Sequence, residues 1–302
     1  MSTATNALTC HRFTAMASPC TLHLPPLPQT AEAAQAIEAE VHRIEHKYSR
    51  YRDDSVLSTL NASAGKACTV DDETAWLIRY AMVAYEQSDG LFDISSGVLR
   101  QVWNFREGVC PSEQQLGAVL PRIGLRRLRL DNHTLQMPAD MELDLGGLGK
   151  EYAADCAAAV ARRFGLNHGI IDLGGDLHVL GPQPQDNNGE KPWMLGVRNP
   201  REPASAIAQL PVYAGGMATS GDYERYFERD GQRYCHLLNP QTGWPVCHWA
   251  SATVLAPTTL LAGTLTTIAM LKQAAAADWL REQNLHCLLI RPDLTLMPFA
   301  PH

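Results

Sequence analysis

No Asp, Glu, Lys or Arg occurs between Tyr234 and Leu271, although 19% of all residues are charged. At that density about seven charges are expected in the stretch, so chance is a poor explanation for the gap. Three prolines interrupt the stretch and its threonines dilute its hydrophobicity, which argues against a membrane span. A buried core and the lining of a ligand site both stay open, and one segment can be both.

Positive charge is scarce as well. The formal net charge is −7, and the basic pairs at 126–127 and 162–163 are short. Nucleic acids and anionic membranes are bound through a positive surface. We therefore expect neither nucleic acid nor a membrane as the main partner.

Closely spaced cysteines are also missing. The eight cysteines include no C-x-x-C pair, which favours reduced thiols over a disulfide framework or a zinc site. Residues 1–14 show no apolar segment behind basic residues, so a cytoplasmic location is predicted. Residues 1–9 are expected to be disordered, and residues 10–302 to form a single domain.

The hydrophobic pattern that is present predicts an α+β fold. Apolar residues at helical spacing predict helices from about residue 31 and over 71–88, 151–164, 258–271 and 274–283. Alternating or clustered apolar and β-branched residues predict strands over 13–24, 128–130, 135–137, 193–197, 206–212, 252–256 and 287–290. The polar segment 183–191 is predicted to be a surface loop.

A glycine-rich turn, Asp144-Leu-Gly-Gly-Leu-Gly-Lys150, lies between an apolar segment and a helix. Such a turn can present backbone N–H groups to a phosphate. It is not a Walker loop, because Asp144 stands in place of the first glycine and Glu151 follows the lysine, and it lacks the G-x-G-x-x-G spacing. A phosphate site and a tight structural turn both remain open.

Other glycine turns carry polar side chains. Asp-Leu-Gly-Gly returns at 172–175, which marks either two halves of one site or two similar strand ends. Glycines frame the hydroxyl pair Thr219 and Ser220. Around Gly90, the spacing of Asp89 and Asp93 by itself favours a helix stop and an Asx turn.

Six short motifs follow one another along the chain: Met16-Ala17-Ser18, Tyr48-Ser49-Arg50-Tyr51, Gly90-Leu91-Phe92-Asp93, residues 144–153, Thr219 to Tyr223, and residues 236–245. In this order they resemble the flavin transferases of the ApbE type, over nearly the whole chain. The motif Thr-Ser-Gly-Asp-Tyr is matched in full, and Asn239 stands where the family has Asp in His-Ile-Ile-Asp-Pro-x-Thr-Gly-x-Pro.

The resemblance implies a fold and an activity. The fold would be α+β and T-fold-like, with a mixed or antiparallel sheet core, packed helices, and an FAD site at the junction of two subregions. The activity would be Mg²⁺-dependent transfer of FMN from FAD to a Ser or Thr hydroxyl of a target flavoprotein, with release of AMP, or hydrolysis of FAD to FMN and AMP.

The resemblance also implies site residues. His236 would accept the proton of the attacking hydroxyl, and Mg²⁺ would be held by the Gly147 carbonyl, by Thr267 and by an Asp four residues before Thr267. The residues expected to bind FAD are Met16, Tyr51, Leu91, Phe92, Asp93, Asp144, Lys150, Thr219, Ser220 and Leu237.

The chain departs from the family at the metal position, where Gly263 stands in place of the Asp. A carbonyl and a hydroxyl carry no formal charge, so weak Mg²⁺ binding is expected. Ala17 and Glu151 also replace family glycines and crowd the same site. If the metal site has decayed, Gly263→Asp is expected to raise the Mg²⁺ affinity.

Three functions therefore stay open from the sequence. The first is an active FMN transferase. The second is a catalytically impaired FAD-binding homologue that acts as a flavin carrier, sensor or assembly factor. The third is a scaffold with an empty site.

Overall fold

The computed structural model describes residues 8–186 and 189–301. Within these residues the helices are short to medium in length and are joined by four brief 3-10 segments. They are α1 (Thr30–Tyr48), α2 (Val56–Ala62), α3 (Asp72–Gln87), α4 (Glu113–Val119), α5 (Gly149–Arg163), α6 (Thr259–Lys272) and α7 (Ala276–Glu282), with 3-10 segments at Ile94–Gln101, Leu120–Arg122, Leu125–Arg127 and Gln273–Ala275.

The strands of the described residues belong to one large sheet and four small ones. They are β1 (Thr9–Ala15), β2 (Ser18–Leu24), β3 (Ala67–Thr69), β4 (Arg129–Asp131), β5 (Thr134–Gln136), β6 (Gly169–Leu173), β7 (Asp176–Gly181), β8 (Gln183–Asp186), β9 (Gly189–Lys191), β10 (Trp193–Asn199), β11 (Glu202–Val212), β12 (Gly215–Gly221), β13 (Tyr226–Arg229), β14 (Gln232–Cys235), β15 (Ser251–Ala256), β16 (Cys287–Ile290) and β17 (Leu296–Phe299).

The large sheet has eight strands in the order β1-β2-β6-β7-β12-β15-β16-β17. Every neighbouring pair is antiparallel. Helix α5 lies in the connection before β6, and helices α6 and α7 lie between β15 and β16. The predicted α+β class with an antiparallel sheet core is confirmed.

Both faces of the central strands are covered, and the alternation of side chains along each strand decides which face a residue serves. On β12, Met217 packs in the cluster with the β10–β11 hairpin, whereas Ala218 packs in the cluster with α6. On β16, Leu288 packs in the same cluster as Met217, and Leu289 packs in the same cluster as Ala218. A sheet enclosed on both faces reads as apolar along its strands, as β15 and β16 do.

Helix α1 shows why the periodic pattern predicts the helices well. Its buried side chains recur at helical spacing and include Ile37, Val41, Ile44 and Tyr48, so one stripe faces the core. This stripe packs against α5. Helix α6 differs, because most of its residues are buried on all sides between the sheet and α5.

The burial of α6 explains the part of the charge gap that lies between Thr259 and Leu271. A charged side chain on a helix enclosed in this way would lose its hydration without a partner. By length and composition, the segment Thr259–Glu282 is apolar enough to cross a membrane, but 61% of its most apolar 18-residue window is buried inside the protein. Core helices of soluble proteins pass the same test.

Two predicted elements are wrong. The single strand expected over 13–24 is a hairpin of β1 and β2, turned by Met16 and Ala17 with φ of 52° and 57°. Because neither residue is Gly or Asn, the turn gave little signal. The loop expected over 183–191 contains the paired strands β8 and β9, and its residues 187 and 188 lie outside the described residues.

Strand β1 begins close to the predicted start of the domain. Thr9 pairs with Leu24, so the sheet starts one residue before the predicted domain start. Residues 1–7, for which disorder is expected, lie outside the described residues. The division into one domain stays a prediction.

Candidate functional site

The first glycine turn is built around the Asp144 side chain. Asp144 Oδ1 accepts a hydrogen bond from the Gly146 N–H at 2.8 Å, and Oδ2 is paired with the guanidinium of Arg50. Arg50 Nη2 also donates to the hydroxyl of Tyr51 at 2.7 Å. The turn therefore brings the predicted residues Tyr51 and Asp144 together through Arg50, a residue that carried no predicted role.

The segment 91–93 is attached to the same turn. The Asp144 N–H donates to the Ile94 carbonyl at 2.7 Å, and a Cβ on Gly147 would lie 3.9 Å from the ring of Phe92. Phe92 is buried at 4% exposure. These contacts place Phe92 directly beside the glycine turn, as the motif order implies.

Asp93 has a structural task in this chain. Its Oδ1 accepts hydrogen bonds from the Ser95 N–H at 2.8 Å and the Ser95 hydroxyl at 2.6 Å, and its Oδ2 accepts one from the Leu125 N–H at 3.1 Å. Burial raises the pKa of Asp93, against the lowering effect of these bonds. The carboxylate caps a 3-10 segment, as the Asx interpretation of the spacing predicts.

The second glycine turn meets the first through Lys150. Lys150 Nζ is paired with Asp176 Oδ2, and Asp176 is buried at 4% exposure. Burial alone lowers the pKa of Lys150, but the charges of Asp176 and Glu151 outweigh it and raise that pKa overall. The two Asp-Leu-Gly-Gly segments thus form two halves of one cluster, the first of the two alternatives that their recurrence allowed.

The β1–β2 turn lies on this cluster. A Cβ on Gly174, which has φ +65°, would lie 2.6 Å from Ser18 Cβ and 3.9 Å from Lys150 Cδ. The Gly174 N–H donates to the Pro19 carbonyl at 3.1 Å, and the Met16 N–H donates to Glu45 Oε1 at 2.5 Å. The glycine is required here because the hairpin approaches it too closely for a side chain.

Strand β12 supplies the hydroxyl pair. The Thr219 N–H donates to Asp176 Oδ1 at 3.3 Å. Ser220 Oγ lies 2.9 Å from Thr266 Oγ1 and 3.3 Å from Thr267 Oγ1. The predicted residues Thr219 and Ser220 therefore connect the Lys150–Asp176 pair with Thr267 on α6.

Glu151 and Gly263 face each other between α5 and α6. A Cβ built on Gly263 would lie 2.5 Å from Glu151 Cγ and 3.0 Å from both Cδ and Oε1. Glu151 is 9% exposed, and its Oε2 has no hydrogen-bond partner. Burial, and then the nearby Asp176 charge, raise the pKa of Glu151. An Asp at position 263 thus needs Glu151 to move, which changes the outcome expected of Gly263→Asp alone.

His236 stands apart from this cluster. Its N–H donates to the Arg225 carbonyl at 2.9 Å, and its buried Nδ1 has no partner. Burial, and then the charge of Arg225, lower the pKa of His236 to about 4, so the imidazole is neutral and able to accept a proton at pH 7. In the described part of the chain, no hydrogen bond joins His236 to Lys150, Thr219 or Ser220.

The turn after His236 reaches the Gly90 segment. Asn239 Oδ1 accepts the N–H groups of Gln241 at 2.8 Å and Thr242 at 3.3 Å, a turn role that Asn performs as well as Asp. Gln241 Nε2 donates to the Asp89 carbonyl at 3.0 Å. Leu91 and Leu237 pack against the same apolar cluster, so these two predicted residues are brought into one region.

Prediction from the sequence missed three members of the site: Arg50, Glu151 as a buried acid, and Asp176. Asp176 could have been found, because it closes the repeated Asp-Leu-Gly-Gly segment. The contact of Glu151 with Gly263 has no sequence signal, since the two residues are far apart in the chain. No group of three or more Asp, Glu, His or Cys side chains suited to a metal ion occurs in residues 8–186 and 189–301.

The fold and this cluster define an α+β protein with two glycine turns, a lysine and paired hydroxyls arranged at one end of an antiparallel sheet. The sequence model of the ApbE family matches residues 16–289. The chain is 30% identical to the FAD:protein FMN transferase of Escherichia coli K12, over 87% of this chain and 77% of that protein.

Solved structures agree with this match. An ApbE protein from Thermotoga maritima superposes with a TM-score of 0.87 at 30% identity, covering 96% of both chains. The apo flavinyl transferase ApbE of Pseudomonas stutzeri superposes with a TM-score of 0.84 at 25% identity, covering 100% of this chain and 96% of that one. The chain belongs to the ApbE family.

Proposed function

We propose that this protein is an FAD:protein FMN transferase, which moves the FMN part of FAD onto a hydroxyl of a target flavoprotein. The curated relative and the P. stutzeri neighbour carry these activities in their names. The observation in the molecule that supports the proposal is the meeting of the two glycine turns at Lys150 and Asp176, beside the paired hydroxyls of β12.

In the proposed reaction, the hydroxyl oxygen of a Ser or Thr in the target attacks the phosphorus next to the flavin side of FAD. A new P–O bond forms, and the bond from that phosphorus to the AMP oxygen breaks. The AMP oxygen keeps the bonding electrons, and the hydroxyl proton is lost to a base. Without a protein acceptor, water takes the place of the hydroxyl and FMN is released.

The residues divide this work. Lys150 stays protonated, and its ammonium is the charge that we assign to the pyrophosphate. Neutral His236, with a free Nδ1, is the group that we assign as proton acceptor. Phe92 and Tyr51 flank the first glycine turn, where we place the adenosine end, and Leu237 marks the flavin end.

A bound Mg²⁺ would neutralise the negative charge that builds on the pyrophosphate oxygens. The residues proposed to hold it are the Gly147 carbonyl and Thr267, together with a buried acidic side chain. The orphaned carboxylate oxygen at this place is the feature of the fold that fits a cation. The impaired FAD-binding alternative rests on the missing carboxylate at Gly263, and the Glu151 carboxyl group against Gly263 supports the active transferase over it.

The test needs no knowledge of the target. The purified protein is incubated with FAD and Mg²⁺, and AMP and FMN are measured by chromatography, in parallel with a pool of Ser- and Thr-containing peptides that is examined for covalent flavin by mass spectrometry. We expect AMP release that disappears with EDTA. Bound FAD that is never converted would contradict the proposal.

A cytoplasmic location is a second proposal, which cell fractionation tests.

A further inference from the structure

The Glu151 carboxyl group is buried without the partners that such a group requires. Its residue is 9% exposed, and Oε2 has no hydrogen-bond partner in the protein. An ionised carboxylate in such a place is costly unless a cation or a donor satisfies it. The Glu151 carboxyl group is therefore either protonated and neutral, or it binds a positively charged ligand.

Its position is the one that a side chain at residue 263 would take. The Cβ that Gly263 lacks would fall 2.5 Å from Glu151 Cγ and 3.0 Å from Oε1. Helix α5 thus fills with a carboxyl group the space that α6 leaves empty. The long side chain of Glu151 on α5 therefore occupies the space that a short side chain at position 263 on α6 would fill.

Two contacts fix how the helices face each other. One turn along α5 from Glu151, the Asp155 carboxylate accepts the Thr259 N–H at 2.8 Å and the Leu260 N–H at 2.9 Å. One turn back along α6 from Gly263 lies Thr259. The contacts therefore run in opposite order along the two helices, with Asp155 at Thr259 and Glu151 at Gly263.

Continued by one helical turn, this order would bring Gly147 and Thr267 to face each other. Gly147 precedes α5, whose first backbone bond runs from the Tyr152 N–H to the Leu148 carbonyl at 2.9 Å. Thr267 Oγ1 is held 3.3 Å from Ser220 Oγ. The Glu151 carboxyl group thus lies four residues after Gly147 and packs on Gly263, four residues before Thr267.

We infer that Glu151 is the acidic ligand of a divalent cation site, completed by the Thr267 hydroxyl and the Gly147 carbonyl, so that the carboxylate comes from α5 instead of α6. Mg²⁺ prefers oxygen ligands and is commonly held by one or two carboxylates together with phosphates and water. This inference rests on the proposed function for the phosphate ligands, but the cation site itself belongs to the protein.

The charges around the site favour Glu151 as a ligand over a site formed by the Gly147 carbonyl and the Thr267 hydroxyl alone. The nearby Lys150 ammonium is paired with Asp176, so the pair contributes no net charge. Among the described residues, Glu151 is the acid in contact with Gly263, and its carboxylate would supply the negative charge for the cation. The competing explanation is a neutral Glu151 that shares a proton with Asp176 and binds no cation.

The test uses Mn²⁺, whose binding to the full chain is followed by electron paramagnetic resonance with and without FAD. Wild type is compared with Glu151→Gln, which keeps the shape of the side chain but removes its charge, and with the exchange variant Glu151→Gly/Gly263→Asp. We expect Glu151→Gln to weaken Mn²⁺ binding at least about tenfold. The exchange variant should bind Mn²⁺ within about threefold of wild type, because it returns the carboxylate to α6.

The matched control is Glu224→Gln, which removes an exposed acid that acts on the Lys150 charge but lies outside the proposed ligand set. Its Mn²⁺ affinity should equal that of wild type. Equal affinities of wild type and Glu151→Gln, or no Mn²⁺ binding by wild type in either state, overturn the inference. If Glu151→Gln fails to fold, the exchange variant decides: loss of its Mn²⁺ binding counts against the assignment.

FAD binding, measured separately by quenching of flavin fluorescence, distinguishes this inference from the proposed function. AMP release that depends on Mg²⁺ but does not respond to Glu151→Gln rejects the ligand and leaves the transferase intact. Mn²⁺ binding that depends on Glu151, in a protein that neither binds nor cleaves FAD, rejects the transferase and leaves the cation site.

Discussion

Lys150 and Asp176 illustrate how single residues serve the fold and the chemistry together. The ammonium group satisfies a carboxylate that is only 4% exposed, and in our proposal the same ammonium meets the pyrophosphate. Removing one partner of a buried pair leaves the other charge uncompensated, which is more damaging than removing both. The two tasks can therefore be separated by mutation.

Lys150→Met is expected to lower the stability of the protein by about 3 kcal/mol and AMP release by about a hundredfold. The double variant Lys150→Met/Asp176→Asn should regain most of the stability, because no charge is left unpaired, but none of the activity. Urea unfolding and chromatography of AMP measure the two effects. Recovery of activity in the double variant would show that Lys150 acts only through Asp176.

The lowered pKa of His236 predicts an unusual pH dependence of catalysis. Its pKa is lowered to about 4, so it stays neutral down to about pH 5 and can accept a proton. We expect kcat/KM for AMP release to hold its value from pH 8 to 5 and to fall only near pH 4. A fall centred near pH 6.5, the ordinary histidine value, would contradict the lowered pKa of His236. His286→Asn, at an exposed histidine, is the control and should leave the profile unchanged.

The same residue affects stability, and the sign follows from proton binding. Between pH 6.5 and about 4 the unfolded chain binds a proton at residue 236 that the folded protein does not. The free energy of unfolding therefore decreases as the pH falls through this range. Below about pH 4, His236 causes no further decrease. Circular dichroism at each pH separates unfolding from loss of catalysis.

At the scale of elements, turns and helix contacts position the site. The β1–β2 turn approaches the second glycine turn, and the clamp of Asp155 on the start of α6 sets Glu151 against Gly263. His178 Nδ1 lies 2.8 Å from the same Asp155 carboxylate, so β7 is tied to both helices. Strands β7 and β12 carry Asp176, Thr219 and Ser220, and the contact between α5 and α6 sets Glu151 against Gly263.

The β1–β2 turn contains backbone strain that can be relieved. Ala17 has φ +57°, a left-handed conformation that costs a residue with a Cβ about 1 to 2 kcal/mol. Ala17→Gly is expected to raise the free energy of unfolding by about 0.5 to 1 kcal/mol after the larger chain entropy of glycine is subtracted. Thermal unfolding measures the gain. Ala208→Gly, at a strand position in β11, should be destabilising in the same measurement, and a loss at position 17 would mean that the turn is not strained.

At the scale of the whole molecule, an ion-pair network joins three helices away from the site. Glu73 on α3 is paired with Arg43 at 2.6 Å and Lys47 at 2.6 Å on α1, and it accepts the hydroxyl of Tyr152 on α5 at 2.9 Å. The hydrogen bonds from Arg43, followed by those from Lys47 and Tyr152, lower the pKa of Glu73 to about 2 against the effect of burial. The network therefore contributes more at neutral pH than in acid.

Glu73→Gln tests that contribution. The stability due to a carboxylate with a lowered pKa is present above its ordinary value near 4.5 and is lost as the pH falls toward about 2. The variant should be less stable than wild type at pH 7, and the difference should shrink at pH 3. Urea unfolding at both values measures it. Glu282→Gln, at an exposed acid, is the control, and a difference independent of pH would contradict the argument.

Much of this protein is determined by local sequence. The apolar stripe of α1, the strand 287–290 and the motif order are read directly from spacing, because helix and strand periods act over a few residues. The α4 helix, the β1–β2 hairpin and β17 were missed, since their signals are short or the turn residues are atypical.

The tertiary structure alone decided which residues meet. Spacing left it open whether the two Asp-Leu-Gly-Gly segments form one site, and the ion pair between Lys150, which follows the first segment, and Asp176, which follows the second, joins them. The sequence showed a carboxylate missing at Gly263, where the structure places the carboxyl group of Glu151. Contacts between distant helices follow from packing of the whole chain, and no local pattern records them.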